Sequence, residues 1–273
     1  MALFNFELFP TESIEPWGKS DAPTLSWFAL TLGTFHMRVG EQVLFEYSDE
    51  IRKHWGCSDP IADPPIADYQ IAEFARDMLG CVLPAITRLP ASIEALASDP
   101  NLADELYASS YTKNEKKHFR AWRWRGERSP WTNYLVASPA IWFVRIDDAV
   151  HVRWDNRNRT VDSIPVWTAT HGQFALPVEA FIGESREFAN QLLAEMEVRL
   201  TALEVGTMTT RTSVDFAHMR EQHEWWRREF DGYFCKPYCP DVGWDETEAA
   251  LRSIAQECGV SWPESARTQR RRR

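Results

Sequence analysis

Hydrophobic and polar positions alternate most regularly between Pro139 and Phe174. Alternation over Ile141 to Ile146 and again over Val150 to Trp154, with Asp147 and Asp148 between them, predicts two antiparallel strands joined by a short turn. A three-residue loop, Asp147 to Ala149, pairs Ile146 with Val150, Val144 with Val152 and Trp142 with Trp154 on one wholly apolar face. A two-residue loop mixes polar with apolar side chains on both faces, so the three-residue loop is the expectation. On that register the opposite face carries Phe143, Arg145, His151 and Arg153, with Arg145 across from His151 and Phe143 across from Arg153.

The same reading along the rest of the chain predicts a first strand over Ala2 to Phe9, ended by Pro10. Three further strands are expected over Leu25 to Leu32, Thr34 to Val39 and Gln42 to Tyr47, with turns at Gly33 and at Gly40-Glu41. From Ile66 the apolar period lengthens to three and four residues, through Ile71, Phe74, Ala75, Met78, Leu79 and Val82, and predicts a helix ended or kinked by Pro84. A second helix, Ala91 to Tyr107, is broken at Asp99-Pro100, because the residue before proline is pushed out of helical geometry. After the hairpin, Ile164 to Ala169 and Gln173 to Leu176 read as strands. Pro177 is placed at the first turn of a long helix reaching about Val205, and helices over Val214 to Asp231 and Asp245 to Cys258 follow. The fold class is α+β: antiparallel sheets from an N-terminal meander and a central hairpin, packed against several helices. Residues 1–262 are expected to form one domain and residues 263–273 a mobile Arg-rich tail.

Composition narrows this picture in two respects. Thirteen tryptophans and an aromatic content of 13% favour a packed globular chain over a disordered one. Five scattered cysteines do not make a disulfide framework, no apolar run reaches membrane-spanning length and no leader is evident, so a cytoplasmic protein without membrane association is expected. The net charge of −10 is unevenly spread: residues 113–159 hold 11 Lys/Arg against 5 Asp/Glu, the tail from Arg267 holds five more arginines, and the remaining body carries −21. Such a body favours basic partners and disfavours long-range attraction to nucleic acid.

Candidate chemistry is sparse. The basic stretch from Arg120 to Arg128 interleaves Trp with Arg, a pattern that stacks on bases and contacts phosphates through Arg123, Trp124 and Arg125. The same pattern is also how an amphipathic strand looks, with Trp122 and Trp124 inward and Arg123 and Arg125 outward, and a structural strand or ordered loop is the expectation here. Asp162 and His171 flank the strand Ile164 to Ala169 and are candidates for an orienting carboxylate and a general base. Cys235 and Cys239, with His218 and His223 nearby, lack the usual zinc spacing, and no metal or cofactor is expected. No phosphate loop, dinucleotide fingerprint or catalytic signature occurs, which leaves enzymatic activity without a motif.

Pro16-Trp17-Gly18, Leu25-Ser26-Trp27-Phe28, Tyr47-Ser48, Trp142 to Arg145, Val152 with Trp154-Asp155, Pro165 to Ala169 with Gly172, and Met196 with Arg199 together form a pattern. It resembles an uncharacterised bacterial family, known chiefly from actinobacteria and classed only as a domain of unknown function. The resemblance implies no activity, cofactor or catalytic residue. Two functions are expected on the residues themselves. The first is a non-enzymatic, immunity-like protein that binds a basic protein partner through its acidic body. The second is an enzyme or sensor for a small anionic ligand, with Arg145, His151 and Arg153 holding charge and His171 or Asp162 moving protons.

Overall fold

The computed structural model describes residues 2–19, 22–57, 64–111, 115–210, 212, 214–235, 238 and 243–263. The Arg-rich tail beyond residue 263 and Cys239 lie outside the described residues.

Strand β1 (Phe4–Leu8) is followed by a small ribbon of β2 (Trp17–Lys19) and β3 (Ala22–Thr24). The expected strand over Leu25 to Leu32 is instead a loop with a 3-10 turn at Ala29–Thr31, tied by Leu30 N–H to the Ser26 carbonyl. Strand β4 (Leu32–Val39) then forms the axis of the first sheet, its Gly33 to Met37 segment antiparallel to the whole of β1. On its other side it pairs with β5 (Gln42–Leu44), through the two-residue turn Gly40-Glu41, and with β6 (Asp68–Gln70). Gly33 is therefore not a turn: it lies inside β4, opposite Leu8 on one side and Tyr69 on the other.

Helix α1 (Asp49–His54) is capped by the Ser48 hydroxyl, and α2 (Ile71–Gly80) buries the apolar stripe that its period predicts. That helix breaks at Cys81 rather than at Pro84: a short α3 (Val82–Ile86) follows, with the proline inside its first turn, where no intrahelical N–H is lost. Helices α4 (Ala91–Ser98) and α5 (Pro100–Tyr111) are separated at Asp99, whose carboxylate accepts the Leu102 N–H at 3.1 Å while Pro100 opens the new helix.

Residues Glu115–Gly126 form helix α6, which corrects the expectation of a strand. Trp122 and Trp124 are both buried, so the Trp-Arg alternation reflects a helix packed on more than one side rather than a pleat. It is followed by β7 (Ile141–Ile146) and β8 (Ala149–Asp155), a short ribbon of β9 (Thr160–Val161) and β10 (Ile164–Pro165), and β11 (His171–Pro177). The expected strand to Ala169 is reduced to those two residues plus a bridge between Tyr47 and Trp167.

β7, β8 and β11 form a three-stranded antiparallel sheet in the order β11-β8-β7. Its hairpin closes through the two residues Asp147 and Asp148, with Asp147 at φ +52°. The register therefore differs by one residue from the expectation: Ile141 faces Trp154, Phe143 faces Val152 and Arg145 faces Val150, while Trp142 faces Arg153 and Val144 faces His151. The physical reason is that both faces of this sheet are covered. Ile141, Phe143, Val150, Val152 and Trp154 join the main core with the first sheet, whereas Trp142 and Val144 join a second core made with α4, α5, α6 and the last helix. A rule that seeks one apolar and one solvated face does not hold for a sheet buried on both sides.

Helix α7 (Val178–Glu204) starts directly after Pro177 and packs Phe181, Phe188, Leu192, Met196, Leu200 and Leu203 into the main core. Its Arg199 is buried and donates to the carbonyls of Leu30 (2.6 Å) and Phe9 (2.8 Å), which ties the N-terminal loops to the helix. Helix α8 (Phe216–Cys235) is clamped to α7 by Arg220, which reaches Glu197 and Glu204. Helix α9 (Trp244–Cys258) completes the second core, ending at Gly259 in the left-handed region. Among the described residues no single helix is long and apolar enough to cross a membrane.

Candidate functional site

The second core does not close completely. Between α5 and the sheet lies a cavity of about 310 Å³ whose lining includes Pro100, Asn101, Asp104, Trp142, Arg153 and Asp155, together with Arg157, His171 and Gln173. Pro100, Asn101 and Asp104 reach it from one face of α5 because they stand one helical turn apart. Trp142, Arg153 and Gln173 are register partners in a row across β7, β8 and β11, and Asp155 and His171 form the next pair along. Gly172 sits beside them because the Trp154 ring occupies its side-chain space: a Cβ there would stand 2.5 Å from Cζ2 of Trp154.

The electrostatics of this cavity are unbalanced. Asp104 is held by Arg125 at 3.0 Å, and Asp155 is held by Arg157 through contacts of 2.7 and 2.8 Å, which keep the Asp155 carboxyl below the usual carboxylate range. Arg153 is only 3% exposed, donates to the Ala97 carbonyl at 2.5 Å and has a buried Nε without a partner. Among the described residues no carboxylate lies within ion-pair distance of it; Asp104 and Asp99 act on it from farther away. Burial lowers the Arg153 pKa below that of a free guanidinium. Leaving such a charge buried and uncompensated costs on the order of several kcal/mol.

Arg125 borders an adjoining cavity of about 630 Å³ and lies over the Tyr107 ring at 4.5 Å and the Trp142 ring at 3.8 Å. Trp142 belongs to both cavities. In the second, His118 is fixed by Ser110, whose hydroxyl lies 2.7 Å from His118 Nδ1, accepts from Trp122 Nε1 at 2.9 Å and donates to the Tyr107 carbonyl at 2.9 Å. Burial, and then the charge of Arg125, hold the His118 pKa below its usual value.

Of the residues singled out in the sequence, the fold brings Arg153, His171 and Arg125 to these two cavities and places Arg123 on the wall of the second. Trp124 is buried on another side of α6. Arg145 and His151 do not join Arg153 in an outward cationic row. Arg145 donates to the carbonyls of Ile86 and Asp147 beside the hairpin turn, and His151 faces Val144 in the covered side of the sheet, its pKa lowered by burial. Asp162 bonds His54 at 3.1 Å rather than His171. His223, considered with the cysteines, is buried under Trp27, whose Nε1 donates to its Nδ1 at 3.0 Å; among the described residues no group of three His, Cys, Asp or Glu side chains is placed to hold a metal.

Residues 3–250 match the model of a family of unknown function, DUF5984. The chain belongs to that family. No curated protein and no solved structure matches it. Several residues behind the resemblance seen in the sequence are tied to the architecture of this family member: Trp27 to His223, Trp167 to the Ala137 carbonyl, Arg199 to two loop carbonyls and Gly172 to Trp154. Asp104, Tyr107 and Ser110 carried a faint signal, lying at three- and four-residue steps along α5 after Pro100, but nothing local reveals that they meet His118 of α6 or share a cavity with the sheet.

Proposed function

We propose that the protein binds a small anionic ligand, a phosphate or carboxylate group, in the cavity at Arg153. The observation that carries this reading is the buried guanidinium whose neighbouring carboxylates are already engaged by other arginines. An anion at that point supplies the missing counter-charge and takes up the remaining N–H donors in the charge-assisted geometry arginine favours. His171, Gln173 and Asn101 add polar contacts around it. The alternative of an acidic body binding a basic protein rested in part on abundant tryptophan as interface anchors. Trp27, Trp122, Trp124, Trp142, Trp154, Trp167 and Trp226 are buried in the cores, so most of that aromatic surface is committed to packing.

Calorimetric titration with inorganic phosphate, sulfate and short carboxylates at low and high salt tests the reading. Saturable binding is expected for at least one of them, weakening with salt, and lost in Arg153→Met. Absence of binding by all of them, or undiminished binding in Arg153→Met, would overturn it.

A further inference from the structure

Resting on that anion site, we propose that the occupant is a planar nitrogen heterocycle bearing one anionic group, its ring seated in the adjoining 630 Å³ cavity. Three observations point there. The two cavities share Trp142 as a wall, and the Arg125–Asp104 ion pair straddles them, Arg125 in one lining and Asp104 in the other. Tyr107, Phe119 and Trp122 border the second cavity; Tyr107 is covered by Arg125 and Trp122 is buried, whereas Phe119 is 63% exposed, with Arg123 5.7 Å from its ring centre, and is the ring a ligand can stack on.

The third observation concerns hydrogen bonding. The Ser110 hydroxyl lies 2.7 Å from His118 Nδ1 and 2.9 Å from the Tyr107 carbonyl, so Ser110 engages the Nδ1 side of the imidazole. The His118 ring is part of the cavity wall, and its other nitrogen, Nε2, is not taken up by Ser110. With Asn133, Ser129 and the arginines as further polar groups, the cavity offers hydrogen-bonding groups beside aromatic surface. A ring with its own N–H and carbonyl edge matches this; an aliphatic chain leaves the polar groups unmet, and a sugar alone leaves Phe119 unstacked.

The test compares inorganic phosphate, ribose 5-phosphate, the common nucleoside 5′-monophosphates and orotate, a heterocyclic carboxylate, by calorimetry. At least one of the heterocyclic anions is expected to bind roughly tenfold tighter than ribose 5-phosphate, the worth of one stacking contact. That gain is expected to disappear in Phe119→Ala and His118→Gln while phosphate binding persists. A phosphomonoester advantage over orotate assigns the anion as phosphate, and the reverse as carboxylate. Should phosphate bind with no heterocyclic anion exceeding ribose 5-phosphate, the heterocycle is refuted and the anion site stands; should nothing bind, both fall.

Discussion

Asp77→Asn is expected to stabilise the protein by about 2 kcal/mol at pH 8 and to lose that advantage near pH 4. Asp77 stands on α2 one turn after Glu73, with its Oδ2 and the Tyr134 hydroxyl both buried and without partners of full hydrogen-bond geometry. Burial first, then the neighbouring Glu73 charge, pushes the Asp77 carboxyl from the ordinary 3.8 up to about 7. Between those values the folded protein keeps a proton that the unfolded chain has released, so stability falls as pH rises from about 4 to about 7 and stays reduced above. The full shift is worth roughly 4 kcal/mol, which partial solvent exposure reduces to about 2. Asparagine carries no charge to bury and escapes the penalty. Urea denaturation of both proteins across pH measures the difference; a wild type whose stability does not fall over this range relative to the variant would show that Asp77 titrates as an ordinary carboxylate.

Gly33→Ala is expected to cost roughly 3 kcal/mol or more, the upper end for an unaccommodated group in a packed site. A Cβ at Gly33 would stand 2.2 Å from the Glu7 carbonyl oxygen and 2.9 Å from the Leu8 Cα, both backbone atoms of β1 that cannot swing aside. Relief requires β1 to draw away from β4, and β1 carries Phe4, which stacks on Phe188 of α7 at 5.3 Å. Equilibrium unfolding checks this: a loss below about 0.5 kcal/mol, within the range of an ordinary surface change, would mean that the first sheet tolerates a shifted edge.

Gly33 also marks how far local patterns reach. As a break between apolar runs it reads as a turn, and only the pairing of β4 on both sides explains its role. The long helix after Pro177, the break at Asp99-Pro100 and the first strand were legible because proline geometry and a clean period act locally. The hairpin was legible as a hairpin, but its register was not, because alternation cannot rank two registers when both faces are buried. Likewise Trp122 and Trp124 suggested a pleat, although α6 buries both by packing Trp122 beside Tyr107 while Trp124 lies against Arg128. Arg125, Arg153 and His171 were visible as candidates; their meeting around Trp142 depends on α5, α6 and the sheet bordering the same two cavities, which is a tertiary fact.

Comparing the thermal melting of wild type and Arg153→Met, with and without inorganic phosphate, bears most directly on the uncompensated guanidinium. Without phosphate the variant is expected to melt at or above the wild type, since methionine fills similar space with no buried charge. With phosphate the wild type is expected to rise and the variant to stay where it was. A variant that melts well below the wild type, alongside a wild type that phosphate leaves unmoved, would instead make Arg153 a structural tie to Ala97 and contradict the anion site.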